Sequence, residues 1–529
     1  MEQNVIFQQQ NGSPVNPPAN VPGQPLQTPP SSSPLPAQPS VVPQQPAPFI
    51  SQSGLPSQPS MPGMPPVSQP PIPPVSQPPI PPITPPPASS NFAGLPSISG
   101  FPLWVKIAAG VIGFIFLFFI ITIMFSSKKT ASNEKVTLEY WELWENKNTL
   151  DQLLSDFHKQ YPNITVNVVV ADPKQYSDRV QARIKAGNGP DVFSYHNSWV
   201  PELISVLSPL STDAISVSDF NKYFYPVAQK DLTRRGAIYG IPLEIDTLAL
   251  FVNDDILQAA GGKPPTTWDS FNNITSTTTV KDSEGKIKTA GAAMGTYDNI
   301  AHASDTVAML FSQNGANQTN LTSTLKNATD ALSFYSSFAI NQNASIWDNT
   351  LPNSLVSFAQ GNVAMIFGYS YDIFTIRVMN PTLKFTVYQV PHLPGRQITT
   401  ASYWVQGVSA RSKHQKEAML LMHFLSQKET EEKLYALESK TRPFGEPYAR
   451  VDLADTLKDD PMVYPFVSQA KTAVSTYFSS NTNDTGINAQ MNGYLGNAVR
   501  SLFNSTSAES AITTLAQGVS QILGQYGIQ

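Results

Sequence analysis

Cysteine is absent from the 529 residues. That absence excludes a disulfide framework, a thiolate metal site and an anchor built on an acylated cysteine. Histidine is scarce, six in all, and His158, His196 and His302 show neither the His-Glu-x-x-His pattern nor any other ligand spacing. No metal and no cofactor is therefore expected, and His196 reads as a surface polar residue. No Gly-x-Ser-x-Gly elbow occurs, so no catalytic residue is assigned. Carboxylates such as Glu142, Asp191, Asp246 and Asp372 can serve as an acid and base pair, but a glycosidase needs a defined separation that chain spacing does not supply. Charged residues make up only 13% and the net charge is -5, with Lys and Arg spread thinly. Nothing here forms a basic stripe for nucleic acid.

Proline, by contrast, is crowded into one end: about thirty of the 48 prolines precede Leu103. Residues 1–102 read as a disordered Pro/Gln/Ser-rich segment, in part polyproline II, because such a composition cannot build a core. Up to about residue 99 its one charge is Glu2, and it repeats the octapeptide PPVSQPPI at 65–72 and 73–80. The plain reading is a spacer, and the sharper one is a ligand for a polyproline-reading partner. Residues 103–126 follow as a transmembrane helix. The run 107–125 carries no charge, is long enough to cross a bilayer and lies too far inside the chain for a cleaved signal peptide. Trp104 is placed as an interfacial anchor, while Lys106 on one side and Lys128 and Lys129 on the other mildly favour a cytoplasmic C-terminal domain. After a linker at 127–135, residues 136–529 suffice for two lobes.

In that region KVTLEYWELW reads as a strand, TLDQLLSDFHKQYP as an amphipathic helix ended by Pro162, ITVNVVV as a strand, YSDRVQARIKAG as a helix stopped at Gly187, and PDVFSY as a third strand. That β-α-β-α-β order implies a parallel, doubly wound sheet with ligands at the carboxyl ends of its strands. AGNGPD precedes a strand and lacks both the third glycine of a dinucleotide loop and the Gly-Lys-Ser/Thr of a phosphate loop. Gly187 and Gly189 therefore read as terminator and turn. Aromatic residues cluster at strand ends and in loops: Trp141, Trp144, Tyr195, Trp199, Tyr297, Trp347, Tyr369, Tyr371, Tyr403 and Trp404, often beside Glu, Asp or Asn. Such rings stack on the apolar faces of sugars while carboxylates and amides bond their hydroxyls, although core packing accounts for many of them equally well.

The segments DFHKQYPNITVNVVV, IKAGNGPDVFSYHNSW, AIYGIPLEIDTLALFVNDDIL, PPTTWDSF, FAQGNVAMIFGYSYD and SKHQKEAMLLMHFLSQKETEEKLY occur in the order seen in family 1 extracellular solute-binding proteins. The chain after Val136 resembles these maltose-binding-protein-like receptors of ABC importers. The resemblance implies an α/β, two-lobed, periplasmic-binding-protein-like clamshell of type II that closes on a ligand without chemistry. Lobe 1 would take about 136–242 and 399–425, and lobe 2 about 246–394 and 430–529, with GIPLEIDTLAL crossing between them and presenting Glu244 and Asp246 to the cleft. Carried over by position, the ligand-binding residues would be Trp141, Glu142, Tyr195, Asn197, Asp246, Tyr297, Tyr371, Tyr403 and Trp404, with Tyr371 standing where relatives often have tryptophan. Asp191 and Trp268 look structural.

The expectation is thus a membrane-anchored, extracellular, monomeric receptor that hands a mono- or oligosaccharide to the permease subunits of an ABC importer. A receptor for solutes belongs outside the cell, which makes the helix a signal anchor with the proline-rich segment in the cytoplasm, against the lysine count. Two rivals use the same residues differently: a surface glycan sensor or adhesin, and a surface enzyme cutting polysaccharide through Glu142 or Asp246.

Overall fold

The computed structural model describes residues 134–341 and 344–528. The proline-rich segment and the proposed membrane helix at 103–126 lie outside the described residues. Among those described, no helix is long and apolar enough to cross a membrane.

In chain order the elements that position the site are β1 (Val136–Glu142), α1 (Lys147–Gln160), β2 (Ile164–Val170), α2 (Tyr176–Lys185), β3 (Val192–His196), β4 (Leu207–Ser208), β5 (Ile241–Pro242), β6 (Ala249–Asn253), α3 (Trp268–Thr278), α4 (Ala303–Gln313), α5 (Leu325–Ile340), β7 (Met365–Gly368), α6 (Ser370–Met379), β8 (Phe385–Tyr388), β9 (Trp404–Ser409), α7 (Gln415–Leu425), α8 (Lys428–Glu438), α9 (Ile487–Leu502) and α10 (Ala508–Gln525). Asn146 caps α1 by accepting from the Asn148 amide at 2.8 Å. The helix buries Leu150, Leu153, Leu154 and Phe157 as one stripe and stops at Tyr161, before Pro162. Beyond α2 the chain reverses through Gly187 at φ +76°, a left-handed conformation that glycine adopts without a Cβ penalty. A Cβ on Gly189 would lie 2.7 Å from the Ile184 backbone nitrogen, so both glycines serve the turn, as their positions in the sequence suggest.

The first sheet runs β2-β1-β3-β9-β4 with β5 beside β9. Its first three strands are parallel, as the β-α-β-α-β order predicts. Two departures correct the purely parallel expectation. β9 returns antiparallel to β3, with Trp404 opposite His196 and Tyr195 opposite Val405, and the second lobe is built on a three-stranded antiparallel sheet, β7-β6-β8. β6 is buried at every position, and a strand covered on both faces reads as a plain apolar run whichever way its neighbours point. Asp191 is structural: its carboxylate accepts from the Glu139 amide at 2.9 Å and the Ser412 hydroxyl at 2.5 Å, tying β1 to the segment after β9. Trp268 is buried at the start of α3 and donates to Gln313 at 2.7 Å.

Two segments cross between the lobes side by side. Leu248 N donates to Thr400 O at 2.9 Å and Ser402 N to Asp246 O at 3.0 Å. A third strand of chain joins them where Ile245 N donates to Pro447 O at 2.9 Å. α8, which the sequence places at the edge of the second lobe's tail, packs on α1 of the first lobe, with Lys433 ion-paired to Asp156 at 2.5 Å. α9 and α10 pack on one another and on α5 of the second lobe.

Candidate functional site

Where the crossing segments leave the first sheet, they border a cavity of about 390 Å³, within the range of small-molecule sites. Each wall comes from a different part of the chain. The end of β1 leads into Trp144, the crossing strand supplies Glu244 and Asp246, and the start of β9 supplies Ser402 and Trp404. α6 adds Tyr371 and Phe374, the loop after α8 adds Arg442 and Glu446, and the segment before α9 adds Ser480, Asn481 and Asn483.

The aromatic wall is built around Trp404. Its ring meets Trp144, His196 and Trp199 edge-on, each at 5.3 Å between centroids, an arrangement favoured by the ring quadrupoles. Trp199 anchors the cluster in the core, whereas Trp144 is 48% exposed. Facing it from the second lobe, Tyr371 is 40% exposed and stacks on buried Tyr369 at 5.8 Å and 16°. Large aromatics held on one face and bare on the other offer stacking area.

The polar floor is fixed by buried networks. Asp246 accepts from the Ser370 amide at 2.8 Å and the Ser370 hydroxyl at 2.7 Å, so a carboxylate from the crossing strand sits at the N-terminus of α6, where the helix dipole favours it. Burial raises its pKa well above the usual carboxylate range, and the Ser370 bonds work against that rise. Below it, His302 contacts Asp372 at 2.8 Å and Ser480 at 2.8 Å. Burial pushes the His302 pKa down, but the Asp372, Asp305 and Asp246 carboxylates outweigh it, and the net shift is upward. His196 corrects the surface reading. It is buried, bonded to Ser198 and Ser402 at 2.7 and 2.9 Å, and burial pushes its pKa down to about 3, so it lines the cavity as a neutral ring.

The acidic side of the cavity centres on Arg442. Its guanidinium pairs with Glu438 at 2.6 Å and Glu446 at 2.7 Å and lies over the Phe374 ring at 5.3 Å. Glu244 is raised well above the carboxylate range by burial and then by the Glu446 carboxylate, to which it is hydrogen-bonded. Glu145, just behind, is raised by burial and then by Glu438.

Of the nine residues picked from the sequence, Asp246, Tyr371 and Trp404 line this cavity and the other six do not. Trp141 packs near Tyr176 and donates to Glu139 at 2.5 Å. Glu142 is buried, accepting from Tyr140 and Ser194 at 2.6 Å each. Tyr195 is in the core, with Gly407 so close that a Cβ there would lie 2.7 Å from the ring. Asn197 and Tyr403 both donate to the buried carboxylate of Asp231, at 2.9 and 2.7 Å. Asn197 also borders a separate cavity of about 150 Å³ with Lys230 and Arg234. Tyr297 donates to Asn492 O on α9 at 2.9 Å, away from the cleft. Glu244, which lines the cavity, was brought to the cleft by the resemblance, as one of the two acids that interrupt the apolar crossing segment GIPLEIDTLAL. Arg442 and Glu446, in TRPFGEPY, carry no comparable signal.

A family model described as bacterial extracellular solute-binding protein matches residues 152–464. The multiple sugar-binding protein of Streptococcus mutans is 24% identical over 341 residues, covering 59% of this chain and 76% of that protein. Among solved structures, the sugar-binding protein MalE of Xanthomonas citri is similar with a TM-score of 0.61 at 18% identity, covering 74% of this chain and 98% of that one. A cyclo/maltodextrin-binding protein complexed with maltotetraose is similar with a TM-score of 0.60 at 20% identity, covering 74% and 99%. These relatives are binding proteins rather than enzymes, and they share with this chain the two-lobed α/β architecture. The family match spans more than half of the sequence and agrees with the cleft between two lobes: the chain belongs to the bacterial extracellular solute-binding proteins.

Proposed function

We propose that this protein is the carbohydrate-binding component of an ABC importer, taking a mono- or oligosaccharide between its lobes and closing around it without chemical turnover. The observation that carries the reading is the pairing, across one cavity, of exposed Trp144 and Tyr371 with Glu244, Asp246, Asn481 and Asn483. Rings take the sugar's CH faces, and carboxylates and amides take its hydroxyls. The relatives' names, multiple sugar-binding and arabinooligosaccharide-binding among them, favour the same class. Residues 103–126 act as a signal anchor, with the proline-rich segment in the cytoplasm and the binding domain outside, because an importer's receptor meets its solute there. It works as a monomer with a permease.

The test is calorimetric titration of the full chain, purified in detergent, with mono- and oligosaccharides, alongside product analysis and small-angle scattering of the same samples. The reading expects saturable binding to at least one sugar, a smaller radius of gyration at saturation and no product. Product formation abolished by Asp246→Asn would move the protein to the enzyme class.

A further inference from the structure

The charge around the cavity points to a narrower ligand class, an inference that rests on the carbohydrate reading. We propose that the ligand is an amino sugar, a glycan unit carrying an ammonium group, which Glu244 and Glu446 receive beside the Trp404 and Trp144 rings.

Among the described residues, the cavity lining contains three carboxylates, Glu244, Asp246 and Glu446, against a single cation, Arg442. Neither Asp246 nor Arg442 is free for other duties. One Asp246 oxygen is held by Ser370 and the other accepts from the Thr247 amide at 2.9 Å. The Arg442 charge is divided between Glu438 and Glu446. Glu145 adds a further acid behind them, and neutral His196 adds no positive charge. His302 is engaged with Asp372 below Asp246.

Glu244 is left with little. Its side chain accepts one long bond, from the Trp404 amide at 3.3 Å, and otherwise faces the Glu446 carboxyl. Two adjacent carboxyls taken out of water need either a shared proton or a cation. A neutral sugar hydroxyl can donate one hydrogen bond but brings no charge. An ammonium brings three donors and the missing charge, and the Trp144 and Trp404 indoles that share the cavity lining offer it a cation–π contribution. Burial and the neighbouring Glu446 favour the protonated form of Glu244, and an entering ammonium displaces that proton.

The deciding experiment titrates the full chain with three matched series of short oligomers: glucosamine, N-acetylglucosamine and glucose. Heats are measured in two buffers of different ionisation enthalpy. The glucosamine series is expected to bind at least about tenfold more tightly than the other two, with net proton release, and Glu244→Gln or Glu446→Gln is expected to remove the preference. If either variant fails to fold, the comparison on the wild-type chain still decides. Equal or tighter binding of the acetylated or glucose series overturns this inference and leaves the carbohydrate reading standing. Spermidine bound as tightly as glucosamine oligomers overturns the sugar part of the assignment. Failure of all three series to bind overturns this inference, and the wider panel of mono- and oligosaccharides then decides the carbohydrate reading separately.

Discussion

At the scale of single residues, the aromatic and acidic side chains divide into those that face the cavity and those that hold up its walls. Tyr371 is exposed and Tyr195 is buried, so their alanine variants should fail in opposite ways. Tyr371→Ala is expected to weaken sugar binding by about 1 kcal/mol, roughly fivefold, with little change in melting temperature. Tyr195→Ala should cost about 3 kcal/mol or more of stability by leaving a void between Gly240 and Gly407. Paired titrations and urea denaturation curves separate the two. The family resemblance, carried over by position, points to Asp246, Tyr371 and Trp404, which line the cavity, and equally to six residues that do not. What it lacks is direction. β3 is buried at all five positions, so Tyr195 turns inward although it lies near the carboxyl end. Glu142 likewise looks like a ligand carboxylate in the sequence, yet it spends its oxygens on Tyr140, Ser194 and the Leu143 amide.

At the scale of elements, caps and terminators were the most legible features because each has a local cause. Gly187 is the clearest: its φ of +76° follows from the need to end α2 and turn into β3. Gly187→Ala should therefore cost about 1 kcal/mol of stability, seen as a lower denaturation midpoint, with sugar affinity unchanged. Sheet polarity was less legible, since β6 and β9 carry no mark in their side chains of which way their neighbours run. Their antiparallel arrangement follows from long-range pairing, Met365 with Val252 and Trp404 with His196. The contact of α6 with the crossing strand belongs to this scale too. Ser370→Ala leaves Asp246 with one donor fewer at a buried carboxylate, and an expected loss of about 1–2 kcal/mol in stability tests it by chemical denaturation.

At the scale of the whole molecule, the lobes meet through chain segments that come together from distant parts of the sequence, and charge is stored there. Glu202, in the first lobe, lies against Gly486 just before α9, and its pKa is raised to about 7 by burial and then by Asp484 and Asp178. A carboxyl raised in the folded state stabilises it fully below the ordinary glutamate pKa and loses that contribution as pH climbs towards about 7. Glu202→Gln should match the wild type near pH 4 and exceed it at pH 8 by about 1 kcal/mol, a value reduced for partial exposure; denaturation at both pH values checks the sign. The central claim is the proposal that a sugar binds between Trp144, Trp404 and Tyr371, which line one cavity, and holds the lobes together. Thermal melting of the full chain against a carbohydrate panel, in parallel with Trp404→Ala, tests it most directly. At a concentration about a hundredfold above the dissociation constant, linkage adds roughly 2.7 kcal/mol, a rise of a few degrees. The account predicts such a rise for at least one sugar and its loss in Trp404→Ala. A panel in which no sugar moves the transition, or a shift that survives intact in the variant, contradicts it.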